Sequence, residues 1–412
     1  MNLRATAFLS IVPLTILALA ACSDDDTTTP GGNTTVDGGS NPQALAGDPT
    51  TVLTAYADNL HQAFADSVTD TAAFSTAVDA FVATPSETTH AAVKAAWIAS
   101  RAHYMLTEGS RFYDGPIDLT VDGRTPDNYE TALNSWPLDE AYIDYTTGNL
   151  TAGFVNNPAS METIDIDALN AANFVGGDEN VSNGWHAAEF LIWGQATDTV
   201  GPGKRPFTDY TTYANVDRRS AYLKATVVGI SQNLTAVRDA WQTGATYREK
   251  FITDKYASVA FALGGLGRFS KGELAGERIN AAYVSRERRD QHDCFSSETL
   301  TDYKRDAEGV KGLYLGDYAG KDGPGFDTLV AKVDPALDTE IKTALDASIA
   351  AIDAIKASTT SGYFEEAIGP DATDAQRATV LDAINKLRAQ GDLFGKAATA
   401  LGLSIEVPES NP

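Results

Sequence analysis

The chain has 412 residues, 43 % of them hydrophobic and 21 % charged, which is the composition of a globular protein and not of a disordered, collagen-like or multi-span membrane chain. Lys plus Arg number 31 against 56 Asp plus Glu, a net charge of −25 that repels nucleic acid and favours cations as partners. With 2 cysteines, Cys22 near the N-terminus and Cys294, there is no disulfide framework.

The N-terminus reads as an address. Arg4 supplies a positive start, and residues 8–19 form a short apolar run broken by Pro13, too short to span a membrane. Leu19-Ala20-Ala21-Cys22 matches a bacterial lipobox, so residues 1–21 are expected to be a lipoprotein signal peptide and Cys22 to carry lipid. An ordinary cleavable signal with an incidental cysteine is the alternative. Residues 22–49, rich in Asp, Thr, Gly, Asn and Pro, hold little to bury and read as a disordered tether. The expected location is the bacterial cell envelope, lipid-anchored on the periplasmic face or at the cell surface. Cys294, beside Phe295, reads as a buried thiol.

The body, residues 50–405, has helical periodicity and little strand-like alternation, which predicts an all-α fold. Helices are expected over 50–82, from a capping box at Thr84-Pro85-Ser86-Glu87 to about Glu108, and over 182–193, 211–243, 248–263, 272–288 and 297–311. Asp334-Pro335 starts another, with Leu337, Ile341, Leu345, Ile349, Ile352 and Ile355 on one stripe, and a last one covers 372–402 with Val380, Ile384, Leu387 and Phe394. Three longer loops, 109–139, 194–209 and 312–325, are rich in Gly, Pro, Asp and Tyr, where binding residues are usually carried. The length suits two helical bundles side by side, with a boundary near 194–209 and a site between them.

The sharpest local signal is the run from Asn183 to Gly194, in which His186 and Glu189 lie three apart on an otherwise apolar helix. Burying them needs a partner for each. A metal is one such partner, and a hydrogen bond between the two is the other. The chain lacks both His-Glu-x-x-His and His-x-x-Glu-His, and His61, His90, His103 and His292 are scattered singly. A metal site would have to be closed by carboxylates or by His292, which suits iron at least as well as zinc. Trp97, Arg101, Tyr104 and Glu108 form a second polar and aromatic stripe running into the Arg111 to Asp118 loop. Buried polar groups need mutual partners, so at least three of Arg101, Glu108, Asp118, His186, Glu189 and Glu273 are expected to line one pocket.

Gly184-Trp185-His186-Ala187-Ala188-Glu189 resembles the Gly-x-His-x-x-Glu signature of the imelysin family, also classed as M75 or insulin-cleaving membrane peptidases and including iron-regulated lipoproteins. The blocks Asp114 to Asp118, Asn134 to Asp144, Trp193-Gly194-Gln195 and Lys271 to Arg278 resemble family blocks in family order, over about residues 50–400. The resemblance implies two related helical bundles, a site between them and a link to iron supply, with the family's His and Glu at His186 and Glu189. Asp290 to Ser296 resembles a block expected to be more acidic before its histidine and to carry another histidine after it. Gln291 and Leu300 stand at those positions while His292 is kept.

Three functions follow as expectations. The first is a lipid-anchored metal-binding protein of iron acquisition, with His186 and Glu189 as ligands and further oxygens from Glu108, Asp118 or Glu273. Gly184, Arg101, Asp114, Asp139, Arg278 and His292 would then line its pocket, and an iron-transport component would be its partner. The second is a metallopeptidase with Glu189 or a neighbouring carboxylate activating a metal-bound water. The third is a metal-free adaptor. The ion expected is divalent or trivalent, iron ahead of zinc.

Overall fold

The computed structural model describes residues 41–113, 115–118 and 129–409, so the lipobox, Cys22 and Asp114 lie outside the described residues. Eight helices carry the architecture: α1 (Thr50–Ala83), α2 (Glu87–Met105), α3 (Gly184–Trp193), α4 (Val216–Ala240), α5 (Tyr256–Arg268), α6 (Thr299–Leu315), α7 (Pro335–Ser358) and α8 (Asp374–Ala400). The fold is all-α. Among the described residues the only strands are Asp317–Tyr318 and Lys321–Asp322, a two-residue antiparallel pair inside the 312–325 loop.

Local chemistry sets the helix ends. The cap of α2 sits two residues later than expected: extended Ser86 accepts from the Thr89 N–H, and Thr89 Oγ1 accepts from the Ser86 N–H. Pro85 therefore lies outside the helix. Asp334 caps α7 by accepting from the Leu337 N–H, and Thr373 and Gln376 form a capping box on α8. The α7 stripe is buried apart from Ile349, which is half-buried. The helix expected over 248–263 is broken at Lys255, whose φ is +51°, into Thr246–Thr253 and α5. Next comes a π-helical segment, Phe269–Asn280, in place of the first half of the expected 272–288 helix. Its wider turn brings Glu273 and Arg278, five apart, together at 2.9 Å.

The tether ends sooner than expected. Asn41 caps a short helix, Pro42–Ala46, Ala46 is fully buried, and Lys332 Nζ and the Tyr256 hydroxyl donate to the Ala46 and Gly47 carbonyls. Residues 41–49 thus belong to the folded body.

Residues from Ser40 onward cluster as one compact unit. Within it α1 packs on α2 and α4, and α4 on α3, while α7 packs on α8 and α6, and α8 on α5 and the π segment. The 194–209 loop leads from α3 to α4, both in the first group, and the change of packing partner comes near residue 254. Helices α2 and α6 meet across the seam, where a Cβ on Gly309 would lie 2.4 Å from the Leu106 carbonyl oxygen. Trp97 and Trp185, both fully buried, join α2 to α3 through an indole N–H donated to the Trp185 carbonyl at 3.0 Å.

Asp144 ties the loops to this frame. Its fully buried carboxylate accepts from Arg205 Nη1 at 2.7 Å and from Arg219 Nε and Nη2 at 2.7 and 3.1 Å. Asp144→Ala leaves two guanidiniums buried without this partner and should cost about 3–5 kcal/mol in urea denaturation. A loss under about 1 kcal/mol, the scale of a surface pair, would contradict this reading.

Candidate metal centre

His186 and Glu189 sit on α3, which is buried along its whole length. The helix starts at Gly184 because that residue has φ +88° and a Cβ there would lie 2.6 Å from the Leu133 carbonyl oxygen. Gly184 is therefore a close-approach residue and offers no ligand. His186 Nδ1 lies 3.1 Å from Glu189 Oε2, and Glu189 Oε1 accepts from the Ser296 N–H at 2.6 Å. The simple pair foreseen as the metal-free alternative is present. Its environment goes further.

His292 and Asp293 come from the 286–298 loop, where Asp293 adopts φ +53°. His292 Nε2 lies 3.1 Å from His186 Nε2, the ring centroids being 4.5 Å apart at 73°. Asp293 reaches both rings: Oδ1 is 3.5 Å from His186 Nδ1 and Oδ2 is 3.4 Å from His292 Nδ1. Neither Asp293 oxygen accepts a hydrogen bond, although the residue is fully buried. His186, His292 and Asp293 can each turn a donor atom within 4.8 Å of the others.

His186 Nδ1 faces Glu189 Oε2 and would keep its proton there, whereas His292 Nδ1 has no hydrogen-bond partner, and the two Nε2 atoms meet at 3.1 Å. Two nitrogens each about 2.0–2.1 Å from a shared ion would lie about 2.9–3.3 Å apart, the same spacing. Burial, helped by nearby Arg101, pushes His186 down to about 3, and burial with the neighbouring His186 ring pushes His292 well down. Both rings are neutral at physiological pH, the ligand form. Burial raises Glu189 to about 7. Trp136 closes one side, its ring edge against His186 at 5.0 Å.

Arg101 on α2 and Asp302 on α6 complete the surroundings, with Arg101 Nε donating to Asp302 Oδ2 at 2.7 Å. A separate buried cluster lies beyond them. Arg278 donates to Glu108, to Glu273 and to Asp306, while Arg111 faces Glu108, Glu130, Glu273 and Asp118. Burial raises Asp306 and takes Glu130 up to about 7; Glu108 stays below the usual range because Arg278 and Arg111 outweigh its burial.

The expected ligand set is thus redistributed. Glu108 and Glu273 are engaged by guanidiniums, and Asp118 accepts from the Phe112 N–H at 2.8 Å, so none of the three joins the histidine group. Asp139 caps a short helix, Glu140–Ile143. A cavity of about 590 Å³ is lined by His292, Trp136, Arg111, Glu130, Glu273 and Arg278, among others. Of the six residues expected in one pocket only Glu273 lines it; Arg101, Glu108, His186 and Glu189 are fully buried and Asp118 is half-buried. A larger cavity of about 700 Å³, between α1, α6 and α7, has no histidine in its lining. Asp293 and Asp302 were missed from sequence. The available signal was Asp293 adjoining His292, and Asp302 with Asp306 one turn apart on α6.

The family model for imelysin, Peptidase_M75, matches residues 60–394. A crystal structure of a protein assigned as iron-regulated protein A precursor, from Parabacteroides distasonis ATCC 8503, superposes with a TM-score of 0.63 at 17 % identity, covering 88 % of this chain and 98 % of that one. No curated protein matches.

The raised Glu189 carboxyl makes a pH prediction. With a folded value near 7 against 4.5 for the free side chain, its contribution to stability is complete below pH 4.5 and is lost as pH climbs through 7. In chelator-treated protein, Glu189→Gln should remove a fall of up to about 1.4 kcal/mol per pH unit across that window. Parallel pH–stability curves for wild type and variant would show that Glu189 is not the group responsible.

Proposed function

The chain belongs to the imelysin family, and from that premise we propose that it is a lipid-anchored, metal-binding protein of the bacterial cell envelope, with iron the favoured ion. The observation that carries this reading is the pair of neutral imidazoles facing nitrogen to nitrogen at 3.1 Å, with the Glu189 carboxylate on the far nitrogen of His186. Outer carboxylates on metal-bound histidines fix the tautomer in this way. The donor set fits: His186, His292 and Asp293 would hold the ion, and the Asp293 oxygens, buried without a hydrogen-bond donor, are the groups a cation would satisfy. A mixed imidazole and carboxylate set suits iron and also zinc. Glu189 serves in this reading as the acceptor that orients His186, and no longer as a ligand.

A peptidase would need a carboxylate free to take a proton from water. Glu189 is fully buried and already accepts from Ser296, which favours holding a metal over hydrolysis. The iron-regulated assignment of the similar crystal structure supports iron as cargo, and an iron-transport component of the envelope is the partner proposed to receive it. The net charge of −25 argues against nucleic acid.

Two experiments test this. Protein purified without a metal-affinity tag should contain iron by elemental analysis and bind it in calorimetry. His186→Ala and His292→Ala should each lose more affinity than the roughly 10–100-fold expected of Glu189→Gln. Chelator-sensitive cleavage of casein by wild type, abolished in Glu189→Gln with metal content intact, would favour the peptidase instead. For the anchor, Cys22→Ser should leave an uncleaved or soluble precursor, and a wild-type chain without acyl mass would refute lipidation.

A further inference from the structure

We propose that the cavity lined by His292 is the entry route for the ion, admitting it as a hydrated cation, with Asp178 and Glu277 at its mouth as the charges that draw it in. The inference rests on the metal-binding reading above and adds to it the path and the form in which the cargo arrives.

The cavity of about 590 Å³ touches the histidine group through His292, which is 3 % exposed and whose Nδ1 has no hydrogen-bond partner. Asn134, equally buried, lines it too: its Oδ1 accepts from Arg101 Nη1, and its Nδ2 has no partner. A space with unsatisfied polar atoms in its lining is suited to water and to what water carries. The larger cavity, of about 700 Å³, has no histidine in its lining, so of these two only the smaller leads to the group.

The charges of the lining divide into an inner wall and a mouth. In the wall, Arg278 is held by Glu108 and by Glu273 at 2.9 Å, and Arg111 by Glu130 at 3.2 Å and Glu108 at 3.4 Å. Burial alone would raise Glu108 and Glu273, but Arg278 and Arg111 outweigh it and hold both below the usual carboxylate range. Two guanidiniums and two carboxylates thus cancel, and any charge on Glu130 adds to the negative side. At the mouth, Asp178 and Glu277 are exposed, and among the described residues neither makes an ion pair. Arg289, next in sequence to Asp290 of the lining, is claimed by Glu179 at 2.7 Å and by Asp290 at 3.7 Å, so it does not cancel them. Phe112, Trp136, Pro137 and Phe174 supply apolar wall. A cleft of one sign with weakly polarisable walls focuses its field, which speeds the entry of opposite charge by about 10–1000-fold. The same field repels an anionic chelate.

The test uses full-length, tag-free protein stripped with chelator, with Co²⁺ association followed by stopped-flow quenching of tryptophan fluorescence. Asp178→Asn with Glu277→Gln should lower the association rate constant by about threefold to tenfold at about 0.01 M salt, and the difference should vanish at about 1 M, where the screening length is about 3 Å. Asp346→Asn with Asp353→Asn removes the same charge at the larger cavity and should leave the rate unchanged. All four side chains are exposed, so both variants should fold. With citrate in excess, the rate should follow free Co²⁺ and ignore the anionic complex. An unchanged rate and salt dependence in the mouth variant, or equal slowing in the other, overturns the route, and a rate that follows total cobalt in citrate overturns the hydrated form. A wild type that binds no Co²⁺ overturns the metal-binding reading itself, a separate outcome.

Discussion

Charge taken out of water must be compensated, and the seam between the two helical groups obeys this constraint at unusual density. Each ion buried there carries a desolvation penalty of several kcal/mol, so every guanidinium is packed against carboxylates from other elements. Arg101 of α2 meets Asp302 of α6, and Arg278 of the π segment meets Glu108 and Asp306. These pairs fix the relative placement of elements far apart in the chain. They also leave a remainder. Asp293, whose two oxygens accept no hydrogen bond, is what the pairing does not satisfy, and it lies beside two imidazoles whose Nε2 atoms meet at 3.1 Å.

The position of that remainder follows from the fold. Helix α3 is buried along its length, so its two polar side chains can be reached only from the seam, and the 286–298 loop supplies the facing histidine. Two glycines permit the approach of backbones that makes the seam narrow: Gly309 against Leu106 and Gly265 against Arg111. The cavity reaches the group at His292, whereas His186 and Glu189 lie behind it. An ion arriving through the cavity would meet His292 first.

Much of the fold was legible because it is written in local patterns. The periodic stripes of α7 and α8 and the Asp334-Pro335 start need only neighbours in sequence, and they appear where expected. The break at Lys255 and the π register of 269–280 do not, since both depend on how the second group packs. At the site, His186 and Glu189 stood out because polar residues on an apolar helix demand an explanation. Glu108 and Glu273 were misplaced as ligands because a sequence shows acidic side chains without showing which arginines have claimed them. His292 looked isolated for a related reason: its partner lies 106 residues away and is brought to it by tertiary structure alone.

The central claim, that an ion belongs between the two imidazoles, is tested most directly by anomalous diffraction from crystals of the full chain grown with Fe²⁺ or Mn²⁺. The account predicts one anomalous peak about 2.0–2.2 Å from Nε2 of both His186 and His292, with an Asp293 oxygen in the same shell. A map with no peak there and the two rings joined by a direct hydrogen bond would contradict it, as would a peak among Glu108, Glu130 and Glu273.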